Sequence, residues 1–130
     1  MKKRFAGHTV YKTQFHVVWN TKYRRPVLDA IIRKYLARLF PEILRIMPGC
    51  EIVEYNILRD HVHMLIVIPP KYSVSEVMGR IKGISSSHLR KNFTRLSDYY
   101  WKRNRVWSPG FYVSTVGIDE DKILGYVRNQ

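Results

Sequence analysis

The run His61-Val62-His63-Met64-Leu65-Ile66-Val67-Ile68 is the most apolar of the chain, and Pro69-Pro70 close it. Proline cannot donate to a strand ladder, so the run ends there. Its length suits one β-strand and falls far short of the roughly 18 apolar residues that a membrane span needs. Upstream, Glu51 to Leu58 alternates in the manner of a second strand, and only Arg59-Asp60 separates the two. The spacing predicts an antiparallel hairpin. Successive side chains of a strand point to opposite faces, so His61 and His63 share one side. Two neighbouring imidazoles can hold one metal ion. Taken alone, they serve equally well as ordinary strand histidines, with Val62 and Leu65 as apolar anchors.

The remaining elements fall around this hairpin. Residues 8–19 have the β-branched and aromatic content of a strand, and Asn20 to Pro26 read as a basic loop. Leu28, Ile31, Ile32, Tyr35, Leu36 and Leu39 follow helical spacing. Pro41 is expected to kink or restart that helix, with Ile43, Leu44 and Met47 continuing the stripe. Pro48-Gly49 is a turn. Ser73-Val74-Ser75-Glu76 is a capping-box sequence that opens a helix through about Asn92, burying Val77, Ile81, Ile84 and Leu89. Residues 93–105 form an aromatic, basic connection. Val106 to Val116 is expected as a fourth strand, irregular at Ser108-Pro109-Gly110. Gly117 breaks it, and Asp119-Glu120-Asp121 place acids where a final helix would begin. The order β-α-β-β-α-β plus a C-terminal helix predicts an α+β, ferredoxin-like antiparallel sheet with two helices on one face, in one domain spanning residues 1–130. That fold hosts many functions and cannot settle the chemistry.

Charge narrows the choice. The 130 residues carry 23 basic and 10 acidic side chains, a net charge of +13. The distribution is uneven: residues 1–28 hold seven cations and no acid, and residues 71–110 hold nine cations against Glu76 and Asp98. Clustered cations are the footprint of a nucleic-acid binder, because each phosphate contact releases condensed counterions. The cations singled out as DNA contacts are Lys22, Arg24, Arg25, Lys82, Arg90, Lys102, Arg103 and Arg105. Around Lys22-Tyr23-Arg24-Arg25 and Tyr99-Tyr100-Trp101-Lys102-Arg103 they are interleaved with aromatics, which can stack unpaired bases while cations track phosphates. A merely solubilising surface would mix both signs. No strongly basic amphipathic helix points to a membrane partner. The basic N-terminus is followed by Gly7, His8 and Thr9 rather than an apolar stretch, so no signal peptide is expected. The single Cys50 excludes an internal disulfide and suits a reducing cytoplasm.

On the final helix Tyr126 and Gln130 are four residues apart and share a face, with Ile123 and Val127 to hold it against the body. In isolation they read as a partly buried aromatic and a frayed end. His8 and His16 read as structural or DNA-contacting residues, and Cys50 as a small core residue.

The chain resembles the single-tyrosine HUH transposases, small bacterial insertion-sequence enzymes that move as single-stranded DNA. The resemblance rests on His16-Val17-Val18-Trp19-Asn20-Thr21-Lys22-Tyr23-Arg24-Arg25-Pro26-Val27-Leu28, on His61-Val62-His63, and on Ile81-Lys82-Gly83-Ile84-Ser85-Ser86. It continues in Trp107 through Gly117 and in Tyr126 with Gln130, in the right order over nearly the whole chain. It implies that His61, His63 and the Gln130 amide oxygen are ligands of Mg²⁺ or Mn²⁺, and that Tyr126 is the nucleophile that forms a 5′-phosphotyrosine. It also implies an imperfect hairpin of single-stranded DNA as partner, and a homodimer whose tyrosine helix completes either site. Gly117 would be the hinge of that helix or a simple strand terminator. Members of the family commonly continue a little past the position of Gln130. The competing readings are an HUH replication or mobilisation nuclease, a domesticated repeat-associated relative and a non-catalytic RNA-binding module. The last of these lacks its usual aromatic signature here.

Overall fold

A computed structural model describes residues 4–6, 9–11, 13–100 and 105–115. Six strands and two helices follow in order: β1 (Arg4–Ala6), β2 (Thr9–Tyr11), β3 (Gln14–Asn20), α1 (Ala30–Leu44), β4 (Glu51–Ile57), β5 (His61–Val67), α2 (Val74–Asn92) and β6 (Tyr112–Thr115). The predicted hairpin is β4–β5, antiparallel, with a register irregularity between Ile52 and Glu54. The main sheet runs β4-β5-β3-β6 with every pair antiparallel. From β3 onward this is the expected β-α-β-β-α-β order, and the fold is α+β with a ferredoxin-like strand arrangement.

The even residues of β5 (Val62, Met64, Ile66) and the odd ones of β3 (Val17, Trp19) join both helices in one buried cluster. From α1 come Ile32, Leu36 and Phe40, and from α2 Val77, Met78, Ile81 and Leu89. Trp19 packs edge-on against Phe40 and Trp107, at centroid distances of 5.7 and 5.8 Å. Both helices therefore cover the same face of the sheet, and the histidines of β5 point to the other.

Four local expectations are corrected. The strand expected over 8–19 is two: Thr9–Tyr11 pairs back onto Arg4–Ala6, and only Gln14–Asn20 enters the main sheet. β-branched content announces extended backbone but not its partner. Of the kink or restart expected at Pro41, the restart does not occur: Pro41 is exposed in the last turns of one continuous helix. Ile31 is 65% exposed, one residue off the buried line of Ile32, Leu36, Phe40 and Ile43; Asp29 caps the helix, its side chain accepting from the Ile32 amide at 3.0 Å. Among the described residues the fourth strand covers only Tyr112–Thr115, not Val106 onward. Before it, Val106 and Trp107 are buried and tied to α2, the Val106 amide donating to Ser86 Oγ and Trp107 Nε1 to Ser85 Oγ. The expected final helix, with Tyr126 and Gln130, falls outside the described residues, as do Val116, Gly117 and His8.

Candidate metal and DNA site

The turn before β5 is fixed from two sides. The Leu58 amide donates to the His61 carbonyl at 2.8 Å, closing the hairpin. The Thr21 amide donates to the Asp60 carbonyl at 2.8 Å, and the Leu28 amide to that of Arg59 at 3.0 Å. The Thr21 hydroxyl lies 2.8 Å from the Arg25 carbonyl oxygen and 3.2 Å from that of Asp60. Thr21 is fully buried, so the basic loop and the histidine turn share one buried polar joint.

His61 and His63 stand on the same face, their ring centroids 4.9 Å apart at 72°. The Asp60 carboxylate meets His61 Nδ1 at 2.6 Å. That hydrogen bond, above all, holds the Asp60 carboxyl below its usual range, assisted by the charges of His61 and Arg24. An ionised carboxylate can only accept, so His61 carries its proton on Nδ1 and presents Nε2 as a lone pair when the ring is neutral. An acid on the second nitrogen is the arrangement that fixes the tautomer of metal-binding histidines. His63 is buried, and burial, followed by the charges of His61 and His16, lowers its pKa to about 4. It is therefore neutral at physiological pH, as a ligand must be. The pair fits a divalent metal by donor chemistry. Among the described residues no group of three or more His, Cys, Asp or Glu could hold a metal.

His16 is on β3 beside β5 and stacks on His63 at 5.6 Å and 14°. Its Nε2 lies 3.4 Å from His63 Nδ1, and burial lowers its pKa. This places His16 behind His63 as a ring support. Leu65 shares the histidine face, two residues on from His63, whereas Val62 anchors the core face.

The basic loop supplies the second part of the site. Arg24 reaches Asp60 Oδ2 at 3.3 Å, so the cation expected on DNA also braces the acid behind His61. Tyr23 is 69% exposed, with Lys22 and Arg25 at 5.3 and 5.5 Å from its ring centroid. Arg25 also lies 5.8 Å from the ring of Tyr99, itself exposed. Tyr23 and Arg24 both adopt positive φ, 61° and 52°. Such backbone is strained for non-glycine residues by about 1 kcal/mol or more each and is concentrated at functional sites.

Lys82 has a task within the protein: its ammonium donates to the carbonyls of Ser108 and Gly110. Arg90 and Arg105 line the same cavity as Lys82. Lys102 and Arg103 lie outside the described residues. In the sequence Asp60 reads only as part of a turn and Thr21 as part of a loop; an acid directly before a histidine pair is the signal available for the first. Nothing local marked the second.

Comparison with known proteins gives a consistent result. The sequence profile of a family described as "Transposase IS200 like" matches residues 9–130. The transposase for insertion sequence element IS200 of Salmonella typhimurium is 38% identical over 129 residues, covering 98% of this chain and 83% of that protein. The ISDra2 transposase TnpA of Deinococcus radiodurans is 26% identical over 129 residues, covering 98% and 90%. Among solved structures, a candidate transposase from Deinococcus radiodurans superposes with a TM-score of 0.77 at 29% identity, covering 100% of this chain and 98% of that one. A REP-associated tyrosine transposase bound to a REP hairpin has the same fold, with a TM-score of 0.66 at 17% identity over 95% and 67% of the two chains.

Proposed function

The chain belongs to the IS200-like transposase family, and from that premise we propose that it cleaves and rejoins single-stranded DNA at hairpins near the ends of an insertion sequence. Tyr126 is the nucleophile. Its phenol oxygen attacks the scissile phosphorus, the bond to the 3′ oxygen breaks, and the 5′ phosphate remains on the tyrosine. The phenol proton is lost to solvent, and the released 3′ oxygen takes one up. The 3′-hydroxyl of another strand then attacks the phosphotyrosine, re-forming a phosphodiester and freeing Tyr126. No external energy is needed, because the covalent bond is conserved through both steps.

The observation that carries this reading is the oriented pair: His61, held through Nδ1 by Asp60, beside a neutral His63. With Gln130 they would hold Mg²⁺ or Mn²⁺, which when bound draws charge from a non-bridging phosphate oxygen. The protein's own part is to orient both rings, through Asp60 on one side and His16 on the other. Lys22 and Arg25 meet phosphates, while Tyr23 and Tyr99 offer exposed faces to unpaired bases. The working unit is a homodimer of this 1–130 catalytic domain in the cytoplasm, with Gly117 as the hinge of the tyrosine helix. No helix among the described residues is long and apolar enough to cross a membrane.

The test is direct. Incubated with Mn²⁺ and a labelled single-stranded hairpin carrying its flank, the protein should form a covalent adduct that resists denaturation. Tyr126→Phe should form none, and His61→Ala should bind the hairpin without cleaving it. An adduct in Tyr126→Phe, or cleavage by His61→Ala at the wild-type rate, overturns the proposal.

A further inference from the structure

Three cations scattered along the sequence, Lys82, Arg90 and Arg105, converge on one cavity of about 540 Å³ between α2 and the segment leading into β6. Its volume lies within the roughly 300–1,000 Å³ of small-molecule sites. No carboxylate lines it among the described residues. Its walls are otherwise largely apolar, from Met78, Trp107, Pro109 and Phe111.

The α2 wall is bare at two successive turns, Gly79 and Gly83. Glycine is the poorest helix former after proline, so two inside one helix call for a reason. Packing among the described residues does not give one: a Cβ at either position would meet none of their heavy atoms within 4 Å. The glycines instead keep a strip of helix backbone open to whatever enters the cavity. The opposite wall is held in place by Lys82, whose ammonium bonds the Ser108 and Gly110 carbonyls, and by Gly110 at φ +80°, a backbone that favours glycine. Burial and then the charge of Arg105 lower the pKa of Lys82, so the cations crowd one another in a way an anion would relieve.

The cavity also adjoins the cleavage end of the sheet. Trp107 bridges to Thr21, and the Ser108 amide donates to the Asn20 carbonyl at 2.9 Å. Asn20 is the register partner of His61.

We propose that this cavity is a subsite for one unpaired nucleotide of the bound DNA. Its base lies over the bare surface at Gly79 and Gly83, against Met78 and Phe111, and its phosphate meets Arg90 and Arg105. The inference rests on the transposase reading, and its test separates the two. The probe is a synthetic hairpin with a single-stranded flank, carrying 2-aminopurine at one unpaired position at a time. On binding the full chain, one position should change its fluorescence, and an abasic site there should weaken binding about tenfold, the scale of one stacked base. Gly79→Leu and Gly83→Leu fill the cavity while improving helix propensity. Each should lose that fluorescence response and weaken binding of the flanked hairpin about tenfold, with no further loss on the abasic probe. Their affinity for the same hairpin without its flank should stay at the wild-type value, and their thermal midpoints should be at or above the wild-type midpoint. Arg90→Gln, an exposed change, should weaken flanked-hairpin binding and flatten its salt dependence by about one counterion. Wild-type affinity for the flanked probe in both leucine variants and in Arg90→Gln overturns the subsite alone. Failure of the wild-type chain to bind any hairpin overturns the transposase reading with it.

Discussion

Asp60→Ala should separate the orientation of His61 from the rest of the site. The carboxylate meets Nδ1 at 2.6 Å, and the two side chains are only 29% and 20% exposed, so water competes weakly for either group. A hydrogen bond to a charged group in such a setting contributes about 1.5–3 kcal/mol. At about 1.4 kcal/mol per decade this is a 10- to 100-fold loss of metal affinity, the range found for outer-shell partners of metal-bound histidine. Asp60→Asn keeps an acceptor at nearly the same place but loses the charge, so its loss should be the smaller, about tenfold. Both variants keep the backbone carbonyl that receives the Thr21 amide, so the turn itself should survive. The assay is Mn²⁺ titration followed by electron paramagnetic resonance of the free ion, on the full chain without DNA. Nitrogen-15 shifts of the His61 ring provide a second readout, since Asp60→Ala should release the ring from its Nδ1–H tautomer. Mn²⁺ affinity within twofold of wild type, with an unchanged tautomer, would refute the reasoning.

Thr21→Val keeps the shape of a fully buried residue but removes the hydroxyl shared by the Arg25 and Asp60 carbonyls; unfolding in urea should show a loss of about 1–3 kcal/mol. Ser85→Ala leaves the buried Trp107 Nε1–H without its 2.9 Å acceptor and should cost about 1–3 kcal/mol by the same measurement. Acid should weaken the metal-free fold: the His63 pKa is about 4 in the folded chain against 6.5 unfolded, so the unfolded state binds the extra proton first. The stability present above pH 6.5 is then lost progressively as pH falls towards 4, and His63→Gln should flatten that part of the pH–stability curve.

Much was legible in the sequence because it is governed by local periodicity. The double proline after Ile68, the two-residue link before His61 and the Ser73 cap each act within a few residues, so the β4–β5 hairpin and α2 stand where the pattern puts them. The histidine pair was legible for the same reason, since alternation alone puts both rings on one face. Partnership was not. Strand content over 8–19 could not say that Thr9–Tyr11 would turn back on Arg4–Ala6 while Gln14–Asn20 joined the main sheet.

Local pattern alone yields the order of elements, the excess of positive charge and the family resemblance, which implies a site of His61 and His63 with Tyr126 and Gln130. What stands behind the two histidines comes from long-range contacts. They set His16 against His63, tied the basic loop to the Asp60 turn through Thr21, and drew Lys82, Arg90 and Arg105 to one cavity. The cause is separation along the chain. His16 and His63 are 47 residues apart, and no periodicity reaches across such a gap; strand pairing brings them together once the core on the other face fixes the register.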